Sequence, residues 1–397
     1  MRHKYDVIFL PLHREIGEVI ASEVYWALNT FEMIAKEYQS CAYVGRISKN
    51  GLKSLGKLSN KIHSFRIDSS RTVINDLVFY LLIFGSGLKN IFSAKIWHHY
   101  GSFGYMKGFN PAFFLPKFGK KYVLGPILYP SNDPPDTAVK LGFVRYQHSY
   151  GKLASLLFSL LHKLTLFRSD IIIFDSDDTK GIYLNRFKFL NRKIIRIIPG
   201  GGLLDKDFHC YPNAFKEHIP ILGIASNLIK RKNIDKLIEA IASANLHVSL
   251  KIAGDGPERE NIISLVKQLH LNEKVEFLRR IDHSDISSFF NAIDVYVALD
   301  NVPTEVKISV QEAMMCGCAV ISGESKVKDL VIKKEWGVIV NPNSVSDIGK
   351  AINIIYNNSN DLLKMKMNAK LYADEHFSEK AIVNKYKQTY DEVLFNI

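Results

Sequence analysis

The sequence predicts an α/β protein made of two doubly wound parallel sheets, and three observations carry that expectation. From Ile219 to Asn357, short apolar strands alternate with helical stretches, the order that builds a parallel sheet. A similar alternation with longer connections runs from Tyr5 to Pro199 and closes on Gly200-Gly201-Gly202. The 397 residues suit two or three domains of about 100–200 residues each.

In the first half, Tyr5–Leu12 reads as the opening strand and Ile16–Lys36 as a long helical stretch. Ala42–Val44, Ile96–His98, Lys121–Leu124, Asp170–Asp175 and Ile194–Pro199 are the further strands. Polar and turn residues between Leu203 and Pro220 interrupt the pattern and place a domain boundary there. In the second half, strand Ile219–Ala225 precedes a helix, Asn233–Ala242, whose Ile234, Leu237, Ile238 and Ile241 recur at helical spacing. Val248–Ala253 follows, closed by the turn Gly254-Asp255-Gly256-Pro257. Helix Asn261–Leu269, strand Val275–Leu278, helix Asp285–Ala292 and strand Val295–Leu299 continue the alternation. Helix Ser309–Cys316, strands Ala319–Ser322 and Gly337–Val340, and helix Val345–Asn357 complete it. A final helix carries Ile382, Tyr386, Tyr390 and Leu394 on one face. The expected division is 1–210, 211–377 and a C-terminal helix, 378–397. Two such sheets leave a cleft at their strands' carboxyl ends, where open α/β sheets bind ligands.

Charge is unevenly spread. Residues 1–210 hold 29 Lys+Arg against 16 Asp+Glu, whereas residues 211–397 hold 23 against 24. The basic half suits an anionic partner, either an acidic lipid surface, a phosphorylated acceptor or nucleic acid, or else it is a merely soluble basic face. Nucleic acid is the least supported, because no recognition motif or Arg/aromatic platform accompanies the charge. Leu77–Leu88 and Leu153–Phe167 are apolar with lysines nearby. Each is short of the roughly 20 residues a spanning helix needs. Each fits either a helix lying in a headgroup layer or a core helix of an α/β domain. The N-terminus has no cleavable signal pattern, and Cys41, Cys210, Cys316 and Cys318 are too scattered for a disulfide framework or a zinc site. A cytoplasmic chain is the expectation, either without membrane contact or peripheral on the cytoplasmic face of a membrane.

Residues 223–347 resemble the donor-nucleotide domain of GT-B glycosyltransferases, in particular the retaining family 4. The resemblance rests on short matches in order: Asn227-Leu228-Ile229-Lys230-Arg231-Lys232-Asn233 before Leu237-Ile238-Glu239-Ala240, then Ile252-Ala253-Gly254-Asp255-Gly256-Pro257. Val275-Glu276-Phe277-Leu278, Ala292-Ile293-Asp294-Val295 and Glu312-Ala313-Met314-Met315-Cys316-Gly317 follow. Gly125-Pro126-Ile127 and Ile198-Pro199-Gly200-Gly201 resemble family segments in the first half. The resemblance implies two Rossmann-like domains facing a cleft, with the C-terminal helix crossing back to the first. It implies transfer of a sugar from a nucleoside-diphosphate sugar to a hydroxyl of a glycan or lipid-linked acceptor, with retention. That transfer is usually framed as front-side displacement in which the donor phosphate takes the acceptor proton.

The residue types suit that chemistry. Glu312, one turn into its helix, can accept both ribose hydroxyls. The turn before it, with Lys307, Ile308 and Ser309, offers backbone N–H groups and a helix N-terminus to phosphate. Lys232 matches the family's phosphate-binding lysine and would neutralise the departing diphosphate. Gly254 and Gly256 let the backbone turn tightly beside the nucleotide. Arg279 and Ile281, after the Val275–Leu278 strand, join the donor-binding set, as does Asn227, where the family has an arginine. Gly17 stands alone where the family has paired glycines. Glu305 lies one place after Thr304, where the family's first acid would fall, and is the shifted candidate for that catalytic role. His98 and His99 are the candidates for the family's histidine near the reacting carbon, or else they pack at a strand end. One of two adjacent strand residues points away, so at most one reaches a site. The resemblance implies no metal and no cofactor. The same fold also hosts nucleotide-sugar epimerases, and the departures at Asn227, Thr304 and Arg279 leave open a non-catalytic partner that kept the fold.

Overall fold

The structure is a computed structural model. It describes residues 4–16, 22–49, 55–64, 78, 81–82, 92–102, 110–127, 160–199, 207–211, 220–244, 248–300, 306–323, 331 and 334–395. The chain folds as two compact units, one formed by Met1–Gly202 together with Ile382–Ile397 and the other by Leu203–Ala381. The final helix, Glu379–Phe395, thus lies mostly in the first unit.

The first unit is a parallel sheet of β1 (Tyr5–Ile16), β2 (Ser40–Ile47), β3 (Ile62–Ser64), β4 (Ala94–Ser102), β5 (Lys121–Ile127), β6 (Ile171–Phe174) and β7 (Ile194–Ile197). Their order is β3-β2-β1-β4-β5-β6-β7. β5 and β6 are apolar on both sides, as strands covered on both faces are. Ile8, Leu10, Trp97, Tyr122, Leu124 and Phe174 pack with Phe113 and Leu166. β1 runs to Ile16, farther than the periodicity predicts, because Glu15 and Ile16 keep pairing with Arg46 and Ile47 of β2. The helix Ser22–Glu37 follows it in the chain.

The second unit is a parallel sheet of β8 (Ile221–Ala225), β9 (Ser249–Ala253), β10 (Val275–Leu278), β11 (Val295–Ala298), β12 (Ala319–Gly323) and β13 (Gly337–Val340), in the order β10-β9-β8-β11-β12-β13. Two clusters of buried side chains cover it. One is built on helices Ile234–Ala244 and Val345–Asn357; the other contains Val310, Ala313 and Met314 of helix Ile308–Met315. Helix Ser359–His376 has no counterpart in the sequence reading. Its buried residues are Leu362, Lys366, Ala369 and Ala373, of which Leu362 alone is large and apolar, so they mark no amphipathic stripe. The Lys366 ammonium makes an ion pair of 2.5 Å with Asp294 at the start of β11, both side chains being buried. The other oxygen of Asp294 accepts from the Ile221 backbone N–H at 2.9 Å.

Candidate functional site

In the second unit the strand order reverses between β8 and β11. At such a switch point the connections leave on opposite sides and open a crevice at the strands' carboxyl ends. Three charged side chains meet there. Lys232 ends a short 3-10 turn after β8, Asp300 follows β11, and Lys307 caps helix Ile308–Met315. The Lys232 ammonium lies 3.1 Å from Asp300 Oδ2. The Lys307 ammonium donates to Asp300 Oδ1 and, at 3.1 Å, to the Asp300 backbone carbonyl. Burial alone would raise the Asp300 carboxyl; Lys307 and Lys232 outweigh it and hold it below the usual carboxylate range. The trio carries a net positive charge with both lysines partly open to solvent.

The local backbone explains the convergence. Asn233 adopts a left-handed conformation at φ 51° and donates its side-chain amide to the Leu299 carbonyl at 3.0 Å. That bond ties the turn after β8 to the end of β11. Gln311 donates to the Val306 carbonyl at 2.8 Å and fixes the entry to the helix.

Glu312 is buried on the same helix, and its Oε1 accepts from His283 Nε2 at 2.9 Å when that nitrogen carries the proton. Burial raises its carboxyl above the usual range, against the pull of His283. The His283 ring stands edge-on to Phe208 at 5.8 Å. Tyr296 donates to the Ala225 carbonyl at 3.0 Å and bonds Ser309, linking the end of β8 to the first turn of the helix.

Gly254 and Gly256 act between loops. Gly254 has φ +138°, and a Cβ on it would fall 1.9 Å from the Ser226 carbonyl oxygen; on Gly256 it would fall 2.4 Å from that of Leu228. Their absent side chains let the loop after β9 lie against the loop after β8, where Leu228 N–H donates to Asp255 and Glu258 N–H to Leu228. Asn227 is exposed on that loop, Arg279 is exposed after β10, and Ile281 packs half-buried against the second core cluster. Lys232, Lys307, Ile308, Ser309 and Glu312 thus come from the β8 and β11 connections. Gly17 and Glu305 lie outside the described residues.

His98 and His99 belong to the first unit, and both are buried on β4. His98 shares a 2.6 Å hydrogen bond through Nδ1 with Tyr390 of the C-terminal helix, and Nε2 meets the Gly125 carbonyl at 2.8 Å. Burial depresses its pKa to about 3, against the Gly125 bond. A neutral ring with both nitrogens engaged by protein is a packing arrangement, one of the two roles the sequence leaves open. His99 alternates to the opposite face of the sheet and stands edge-on to Phe113 at 6.4 Å.

Asp300, His283 and Tyr296 are site residues that the sequence reading did not single out for a role. The signal for Asp300 is a carboxylate directly after the apolar run Val295–Leu299; for His283 and Tyr296 there is none.

Two Rossmann-like units with these sheet orders are the GT-B architecture of glycosyltransferases. Residues 205–372 match the family Glycosyl transferases group 1. An uncharacterized glycosyltransferase of Haemophilus influenzae is 28% identical over 54% of this chain and 59% of its own length. The O-antigen biosynthesis glycosyltransferase WclY of Escherichia coli is 28% identical over 62% of this chain and 68% of its own. Among solved structures, sucrose-phosphate synthase from Thermosynechococcus elongatus superposes with TM-score 0.70 at 18% identity, covering 99% of this chain and 100% of that one. Anabaena Alr3699/HepE in complex with UDP gives 0.68 at 14% identity, with 99% and 100% covered.

Proposed function

We propose that this chain is a retaining, metal-independent glycosyltransferase. It moves a sugar from a nucleoside-diphosphate sugar to a hydroxyl of a glycan or lipid-linked acceptor in cell-surface polysaccharide or glycolipid synthesis. It works at the cytoplasmic face of a membrane, held there peripherally by the basic first unit. The observation that carries this reading is the pair of lysines, Lys232 and Lys307, converging beside the helix that holds Glu312. The relative named for O-antigen biosynthesis and the neighbour bound to UDP support it.

The residues then divide the work. The Glu312 carboxylate accepts the ribose hydroxyls, and His283 steadies it. Lys232 and Lys307 face the diphosphate oxygens and neutralise the charge that grows as the sugar–oxygen bond breaks, where a cation lowers the barrier most. The acceptor hydroxyl attacks the anomeric carbon from the leaving-group side, and its proton passes to the departing phosphate oxygen.

Calorimetric titration with UDP, GDP, ADP and CMP, with and without chelator, tests the reading. One diphosphate should bind regardless of chelator, and Glu312→Ala should weaken it by roughly tenfold or more. Binding of none, or unchanged affinity in Glu312→Ala, overturns it.

A further inference from the structure

The first unit carries a helical stretch with large apolar side chains on its exposed face. Residues 160–168 are helical. Leu160 and Phe167 are 52% and 60% exposed, and Lys163 and Leu164 are exposed beside them. That spacing of three, four and seven puts all four on one stripe. The inward face packs Leu166 into the core and is otherwise polar: His162 meets the Tyr183 hydroxyl at 3.2 Å, Thr165 Oγ1 accepts from the Asn110 backbone N–H at 3.3 Å, and Ser169 donates to the Thr165 carbonyl. A soluble surface helix shows the reverse pattern.

The neighbouring segment extends the surface. The Arg168 guanidinium donates to the carbonyls of Phe113 and Leu115, both at 2.9 Å, and so anchors the stretch that carries Phe114 and Phe118. Phe114 is exposed, and Phe118 is 71% exposed at the tip of a turn. Phe118 also sits at φ +47°, a left-handed conformation that a bulky side chain enters only at a cost. Its ring stands edge-on to Phe92 at 6.4 Å, yet most of it faces solvent.

The charges beside it are mostly basic. Lys163 lies on the stripe itself. Lys193 donates to the carbonyls of Phe167 and Ser169, and Lys117 and Arg168 act on it as neighbouring cations, with Asp170 the carboxylate among them. These residues precede β5, β6 and β7, so the surface lies at the amino ends of the strands, away from the carboxyl ends where α/β sheets bind substrates.

We propose that Leu160, Leu164, Phe167, Phe114 and Phe118 form a face that inserts into the headgroup layer of an anionic lipid bilayer, with Lys163, Arg168 and Lys193 pairing with lipid phosphates. A partly inserted helix takes its apolar stripe into the acyl boundary while basic side chains meet the anionic headgroups. This deepens the peripheral-membrane part of the proposed function by naming the surface, and it holds whichever sugar is moved.

Vesicle flotation with equal parts phosphatidylglycerol and phosphatidylcholine, against phosphatidylcholine alone, tests the assignment. The protein should float with the anionic vesicles only and detach as salt rises, because screening weakens exposed charge pairing. Leu164→Ser with Phe167→Ser should weaken binding roughly tenfold or more. Lys163→Glu should weaken it by about fivefold or more. Phe118→Gly should weaken vesicle binding as well. Nucleotide affinity, measured on the same samples, should stay unchanged in all these variants. Absent or variant-insensitive vesicle binding by protein that still binds nucleotide overturns the surface. So does a dimer, seen by light scattering, that dissociates in the Leu164/Phe167 variant, since the occupant is then a second copy. Vesicle binding without nucleotide binding leaves the surface standing and removes the transferase reading instead.

Discussion

Lys232 and Lys307 share one carboxylate, and that sharing decides what removing either should do. Lys232→Ala leaves Asp300 paired with Lys307 through both its carboxylate and its backbone carbonyl, so the buried charge keeps a partner and the fold should survive. A bound diphosphate, by contrast, loses one of its two cations. A charge-assisted hydrogen bond contributes about 1.5–3 kcal/mol, so diphosphate affinity should fall roughly 10- to 100-fold. The free nucleoside lacks the phosphates and should bind as before. Parallel titration with a diphosphate and its nucleoside separates the two, and equal losses would refute the phosphate role. Lys232 was legible in the sequence because a run of neighbouring residues places it. Asp300 was not, because a carboxylate after a strand reads as an ordinary turn residue until its two lysines are seen around it. The His283–Glu312 bond spans 29 positions of chain, and no local pattern encodes a contact of that length.

At the scale of elements, the turn after β9 is constrained by the close approach of the loop after β8. Gly254→Ala would place a methyl carbon 1.9 Å from the Ser226 oxygen at a backbone angle that side chains rarely adopt. Either the loop after β8 moves or Gly254 leaves its conformation, and a substitution of this type costs about 2–4 kcal/mol. The Lys232 turn hangs on that loop, so nucleotide binding should weaken alongside. Denaturant unfolding together with calorimetry checks both effects, and a stable Gly254→Ala variant with full affinity would show that the loops are not clamped. Strands were the elements that the sequence revealed best, because a parallel sheet covered on both faces demands continuous apolar runs. Helix Ser359–His376 escaped because its inward face, Leu362 apart, relies on Ala369, Ala373 and the paired Lys366 rather than on large apolar residues. The short β3, three residues long, escaped because its Ile62-His63-Ser64 is indistinguishable from loop.

Over the whole molecule, the chain's return to its first unit gives that unit a dependence on pH. The C-terminal helix brings Tyr390 onto His98, and its Asp391 accepts from Tyr38 at 2.8 Å. Tyr386 and Tyr390 are buried there with His98. Burial leaves the folded pKa of His98 at about 3, against an ordinary value of 6.5. The unfolded chain therefore takes up the proton first as pH falls. Stability is fully present above pH 6.5 and declines as pH drops toward 3, at about 1.4 kcal/mol per pH unit for one proton. Carboxylates begin to titrate near 4.5, so the clean window is pH 6.5 down to 4.5, where His98 accounts for roughly 2–3 kcal/mol. Half-buried His63 is shifted in the same direction, chiefly by burial, so some slope should remain when His98 is replaced. Denaturant unfolding followed through the buried Trp97 of the first unit should show wild-type protein losing stability across this window. His98→Gln, less stable at pH 7 because it loses the ring's packing against Phe9 and Tyr390, should show a markedly shallower slope. Parallel slopes in the two proteins would mean that His98 is reached by solvent, and the C-terminal helix could not then be sealing β4 from water.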